Sequence, residues 1–335
     1  MRWERRVATI LETLLDANAR FALDAKGTTN HCPMALIALA GMGATDARLH
    51  EFYAYWEREY AYLAEPSEQT PARSAWRAQV GRRDAFHALC RCFEAWIGEV
   101  GSAAVVATVL DEIPSAPASI AFHAWIRLAY GIESAHRGEI AAGLSALVVG
   151  NLPIALPPVQ RVAASSVDAG LRHLSRQCGG MVLTGDSITT RLRAVALSPR
   201  FIEAVQTRPD EAALLDVLAR TALAAYWQTR NFTVLHMVTA THAARRLFSI
   251  LPAAQVRKLE GEFWLAFCAA YVSIGAPELA LPDPAEAALP EWRELCEGAI
   301  ASNNDHVIKL IYTCYREAQR DPLPLYRQVA ARALG

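Results

Sequence analysis

Apolar residues recur at i, i+3 and i+4 along almost the whole chain, and this helical periodicity restricts the fold more than any other feature. It runs through stretches near 3–20, 33–44, 46–63, 74–97, 101–112, 119–148, 160–178, 186–206, 211–227, 231–250, 253–273, 291–302, 305–319 and 323–334. Runs alternating apolar with polar residues are nearly absent, and alanine and leucine, both good helix formers, are abundant. The pattern predicts an all-α protein, a large multi-helix, bundle-like single domain over residues 1–335. With 335 residues, 53 % of them hydrophobic, the chain can bury a deep core.

Breakers fall between the periodic stretches. EPSEQTP (65–71), SAP (115–117), NLPIALPP (151–158), CGGM (178–181), SPR (198–200), TRPD (207–210) and APELALPDP (276–284) read as loops. The proline-rich 151–158 segment is either a hinge between two halves or a loop inside one domain. Thr29 and Asn30, ahead of Pro33, read as a helix start with proline in its first turn. Asn304 or Asp305 reads as the cap of the helix that carries His306.

Several function classes drop out. A net charge of −1, with arginines and acids intermixed, gives no electrostatic footprint for nucleic acid or an anionic membrane. Glu12 and Asp16 interrupt the N-terminal apolar stretch, which reads as an amphipathic helix and not a signal peptide. Residues 141–158 are too broken by Asn151, Pro153, Pro157 and Pro158 to cross a membrane. The seven cysteines form no CxxC pair and mostly sit in apolar runs. They read as reduced, buried thiols in a cytoplasmic protein. GxSxG, Walker and GxGxxG patterns are missing, as are HExxH and other compact metal motifs.

The chemistry must therefore come from polar residues set where the periodicity says "inside". His31 stands at the mouth of a thoroughly apolar helix, as a cap or as a ligand. His123 and Arg127, four apart, share a helix face that Tyr130 continues. Glu133 and His136 echo half of a di-iron carboxylate motif, but read better as a surface pair. His236 lies amid Val234, Leu235, Met237 and Val238, whereas His242, six residues on, points elsewhere. His306 and Lys309 are three apart on one face. Lys309 is flanked by Val307, Ile308, Leu310 and Ile311, and it is one of only three lysines. A lysine placed there snorkels, pairs with a carboxylate, or is kept neutral for chemistry.

Asn30-His31 with the run to Gly43-Ala44, FHAWIRLAYGIE (122–133), VLHMVTA (234–240) and DHVIKLIYT (305–313) together resemble the questin oxidase-like family, in family order across nearly the whole chain. That family includes fungal oxygenases that open anthraquinone rings in aromatic polyketide pathways. The resemblance implies a non-haem Fe(II) held where several helices converge, by His31, His123, His236, His306 and a Lys309 carboxylated by CO2. It implies a small aromatic, polyketide-like substrate and O2. A variant of the same reading is a Baeyer–Villiger-like oxidation with NADPH as reductant, and the non-enzymatic alternative is a helical ligand-binding protein. Arg127, Tyr130 and Tyr312 would orient ligands or bind substrate oxygens, and Trp125, Trp227 and Phe232 would line an apolar slot. The chain departs from fungal members in carrying Arg127 where they tend to have a second histidine, and Met34 and Ala35 where they have more.

Overall fold

The computed structural model describes residues 9–65, 70–115, 117–158, 160–181, 183–279 and 289–335. It is all-α, as the periodicity predicts. In chain order the helices are α1 (Ile10–Asn18), α2 (Cys32–Gly41), α3 (Asp46–Tyr60), α4 (Phe86–Val100), α5 (Ser102–Glu112), α6 (His123–Glu133), α7 (Arg137–Val149) and α8 (Val167–Cys178). There follow α9 (Ile188–Ala196), α10 (Pro199–Ala204), α11 (Leu214–Thr229), α12 (Phe232–Phe248), α13 (Ala253–Ser273), α14 (Trp292–Ala301), α15 (Asp305–Ala318) and α16 (Pro324–Leu334).

Two expected helices are in fact pairs. The 119–148 stretch breaks between α6 and α7, where Ala135 takes a left-handed φ of 53° and the His136 ring accepts the Glu139 N–H to cap α7. Both halves bury apolar side chains, so periodicity alone does not register the break. The 186–206 stretch breaks at Pro199, which opens α10. The beginning of the 74–97 stretch is a 3-10 turn, Arg73–Gln79. Residues 1–8, 66–69, 116 and 280–288, on which parts of the N-terminal helix and of three loops were expected, lie outside the described residues.

A small sheet was not expected. Strands β1 (Phe21–Ala25), β2 (Thr28–Thr29) and β3 (Ala61–Leu63) pair antiparallel in the order β2-β1-β3, with Asp24 opposite Thr29 and Ala25 opposite Thr28. Gly27, at φ 72°, closes the two-residue turn of the β1–β2 hairpin. The strands are too short to leave an alternating signature. Their role is positional, because β2 runs directly into Asn30 and His31.

Helices α2, α6, α12 and α15 form a closed ring. Both α2 and α12 pack against both α6 and α15. In α2 every residue from Cys32 to Leu39 is buried, and in α12 every residue from Thr233 to Ala244. A helix apolar all round belongs at the centre of a fold, and each large side chain so buried contributes roughly 1.5–3 kcal/mol. The four run parallel. Their N-terminal ends meet at His31, His123, His236 and His306, while further along Gly41 abuts Tyr312 and Tyr312 reaches Glu133.

Among the described residues nearly all the buried apolar side chains belong to one contiguous cluster. Segment 151–158 carries no helix, and buries Leu152 and Ile154. No described helix is long and apolar enough to cross a membrane. All seven cysteines are free thiols.

Candidate metal centre

Each histidine of the predicted set sits in the first turn or so of its helix. His31 is the N-cap residue of α2, His123 opens α6, and His236 and His306 lie near the starts of α12 and α15. Local sequence fixes those starts. Pro33 stands in the first turn of α2, Asn231 Oδ1 accepts the Thr233 N–H, and Asn304 Oδ1 accepts the N–H groups of His306 and Val307. Asn304, not Asp305, is thus the cap of α15.

The ring closure then brings the imidazoles together. Centroids are 4.5 Å apart for His31 and His123, 4.4 Å for His123 and His236, 4.8 Å for His31 and His306, and 5.4 Å for His236 and His306. Nitrogens of His31, His123 and His306 all lie within 4.8 Å of one another. Lys309, 3 % exposed, lies one turn beyond His306 with Nζ 4.0 Å from Asp305 Oδ2.

One ring nitrogen of each histidine is already committed. His123 Nδ1 donates to the Ile120 carbonyl at 2.6 Å, and His236 Nδ1 to the Phe232 carbonyl at 2.8 Å. His31 Nδ1 meets Asp305 Oδ2 at 2.5 Å, and His306 Nδ1 lies 2.7 Å from Oδ1 of the same carboxylate. A neutral imidazole carries one proton, so each Nε2 is left as a bare lone pair. His123 Nε2 and His236 Nε2 face each other at 3.0 Å. His306 Nε2 is buried with no hydrogen-bond partner among the described residues, and the Thr28 hydroxyl lies 3.3 Å from His31 Nε2.

The rings are held neutral. Burial, aided by Lys309, pushes His31 down to about 3. Burial, then the neighbouring His236, takes His123 well below the ordinary range, and burial with His306 does the same to His236. His306 is lowered by burial and by Lys309. Burial also lowers Lys309, and Asp305 offsets this only in part. Burial alone would raise Asp305, but His31 and Lys309 beside it hold the carboxyl well below its usual range.

Two lone pairs aimed at each other across 3.0 Å repel unless a cation lies between them. With metal–nitrogen bonds of about 2.1 Å, two ligands at a right angle stand about 3 Å apart. The donor set therefore fits a divalent transition metal held by neutral imidazoles, each oriented through its other nitrogen. Backbone strain is concentrated here as well. Ile120, Ala121 and Phe122 all have positive φ, 49°, 53° and 70°, and this left-handed turn presents the Ile120 carbonyl to His123. Gly150 makes room for it, since a Cβ there would lie 2.2 Å from the Ile120 side chain.

The other predicted residues are placed differently. Arg127 is buried and tied to Glu139 of α7 through Nε at 2.8 Å and Nη2 at 3.0 Å. Tyr130 and Tyr312 lie deeper in the ring, 5.9 Å apart, next to a second polar cluster. There Tyr312 donates to Glu133, His242 Nδ1 donates to Glu317 at 2.7 Å, and His242 Nε2 lies 3.9 Å from Glu133. Glu133 and His136 do not form a surface pair: Glu133 belongs to this cluster, and His136 caps α7 and contacts Asp16. Trp125 is core, packed on Phe248 and Phe263, and Trp227 lies under the Arg332 guanidinium. Of the three aromatics only Phe232 adjoins the histidines, at 4.7 Å from His236 and 4.6 Å from His306, and it is 52 % exposed.

Sequence reasoning took Asp305 only as a possible cap. Its signal was its place four residues before Lys309 and next to His306. The Ile120 and Phe232 carbonyls left no trace in the side-chain pattern.

Taken together, the parallel helix ring and the imidazoles at its N-terminal end define an all-α protein with a buried polyhistidine centre. The chain belongs to the questin oxidase-like family, whose model matches residues 28–230 and 204–314. The family's name points to oxidoreductase chemistry. A search of curated proteins returns no match.

Proposed function

We propose that the protein is a metal-dependent oxygenase that oxidises or cleaves a polycyclic aromatic or quinone-type substrate with O2. One observation carries the reading: His123 Nε2 and His236 Nε2 stand 3.0 Å apart with both Nδ1 atoms already spent on main-chain carbonyls. Family membership supports the oxidative chemistry and the aromatic substrate class.

On this reading His31, His123, His236 and His306 hold one divalent ion through Nε2, with iron the expected metal. When bound, iron(II) supplies the redox chemistry that O2 requires. The chain's own residues do the rest. The carbonyls of Ile120 and Phe232 keep His123 and His236 in one tautomer, and burial of His31, His236 and Lys309 limits the water around the centre. Lys309 is the anionic ligand in waiting. Its amine, biased towards neutrality by burial, adds CO2 to give a carbamate and releases one proton. The flat, exposed face of Phe232 offers a planar substrate a stacking surface beside His306.

Metal analysis of protein purified without chelators tests this, followed by cobalt titration of the stripped protein. One metal per chain, lost in His236→Ala, is the expected result, together with O2 uptake on hydroxylated anthraquinones. Wild-type protein that binds no divalent metal would sink the proposal.

A further inference from the structure

Asp305 stands at the first position of α15, 274 residues from His31, and its side chain is only 16 % exposed. Its two oxygens are divided between two imidazoles. Oδ2 meets His31 Nδ1 at 2.5 Å, and Oδ1 lies 2.7 Å from His306 Nδ1. The other two histidines of the centre have main-chain carbonyls at the corresponding nitrogen. Asp305 thus does for His31 and His306 what the backbone does for His123 and His236.

From this division we infer that Asp305 is a positioning residue of the centre: one carboxylate fixes both His31 and His306 in the Nδ1–H tautomer and turns their Nε2 atoms towards a shared cation. The inference rests on the metal-centre reading for its purpose, but the tautomer claim stands on these contacts alone.

A second consideration makes a buried carboxylate necessary at this place. Four parallel helices bring their N-terminal ends to one point, and each end carries a partial positive charge of roughly half an elementary unit. Such a point attracts anions and repels a metal cation. Neutral imidazoles do nothing to offset that field. Among the described residues Asp305 is the carboxylate in contact with His31 and His306, and it stands at the first position of one of the four helices. The same carboxylate ties α2 to α15, so the register of these two helices and the aim of the two rings are set together. A carboxylate behind a ligating imidazole also makes the ring a better donor.

Histidine-selective 15N labelling of the metal-free wild-type protein, read by long-range 1H–15N correlation, tests the tautomers with no substitution at all. The expected pattern shows His31 and His306 protonated at Nδ1. Either ring protonated at Nε2 instead overturns the inference. Cobalt titration of Asp305→Asn and Asp305→Glu tests the consequence. Asp305→Asn, whose amide accepts at one oxygen only, is expected to bind cobalt about 10- to 100-fold more weakly. Asp305→Glu keeps the charge and recovers part of that loss. A purely helix-stabilising role for Asp305 would move the melting temperature of the metal-free protein and leave cobalt affinity and the tautomer pattern alone. Asp305→Asn with wild-type affinity overturns the inference while the metal centre stands. Wild-type protein that binds no cobalt overturns the metal centre, and the tautomer spectrum still decides the role of Asp305.

Discussion

The Tyr312 hydroxyl donates to Glu133 Oε1 at 2.7 Å, linking α15 to α6 at the end of the helix ring away from the histidines. His242 lies on the other side of Glu133, and Arg246 and Arg316 each come within 3.6 Å of it. Burial alone would raise the Glu133 carboxyl, yet His242 and Tyr312 win and bring it down to about 2. His242 is raised in turn: burial opposes its charge, but Glu133 and Glu317 more than offset that. The two shifts bound a pH window. Stability from Glu133 is complete above the ordinary carboxyl value of 4.5 and is lost as pH falls towards about 2. Stability from His242 is complete below its ordinary 6.5 and is lost as pH rises through its elevated folded value. The difference in unfolding free energy between wild type and Glu133→Gln, read from denaturant melts, should be widest near pH 5 to 6, on the order of 3 kcal/mol, and should close towards pH 2. A gap independent of pH would show that packing, not charge, holds this cluster.

The left-handed turn before α6 allows a test of strain that does not involve the metal. Ala121, at φ 53°, is buried at 5 % exposure. Left-handed backbone costs an L-residue roughly 1–2 kcal/mol, and losing one buried methyl costs about 0.8 kcal/mol. Ala121→Gly should therefore be neutral or up to about 1 kcal/mol stabilising. Ala121→Val, β-branched and oversized at the same site, should cost more than about 2 kcal/mol. Denaturant melts of the two variants check the pair. Equal losses in both would mean that the turn is not strained.

How much of this could be read beforehand follows from what periodicity measures. It registers which face of a helix is buried, so the interiors of α2, α12 and α15 were legible, as were the polar intruders His31, His236 and Lys309. It does not register where one buried helix stops and another begins, and so α6 and α7 were read as one. Four imidazoles meeting across 275 residues leave no local spacing, and the family resemblance supplied what spacing could not. Arg127 looked like a group facing the site because it lies four residues after His123. Its partner Glu139 belongs to α7, a helix the single 119–148 reading had merged with its own.

Lys309 yields a prediction with a mass attached. Its amine is buried one turn from His306, with Asp305 Oδ2 4.0 Å away. Native mass spectrometry in bicarbonate should show a gain of one CO2 in the metal-loaded wild type and none in Lys309→Met. Lys309→Met should keep its fold, because an unbranched side chain of similar length fills the same buried volume without the amine. Metal-loaded wild type that never gains this mass would leave Lys309 an amine and Asp305 the one anion in contact with His31 and His306 among the described residues.

Phe232 stands against two of the histidines, and its substitution separates substrate capture from metal binding. The ring touches His236 and His306 while half its surface faces solvent, an uncommon position for so apolar a residue. Its carbonyl holds His236 Nδ1, and a side-chain substitution leaves that bond in place. Phe232→Ala should therefore bind cobalt with nearly wild-type affinity. It should raise KM for a planar aromatic substrate about tenfold, the worth of one aromatic stacking contact of roughly 1–1.5 kcal/mol. Phe232→Trp, which keeps a flat face, should stay near wild type. A collapse of cobalt binding in Phe232→Ala would show the ring to be a wall of the metal centre, and an unchanged KM would place the substrate elsewhere.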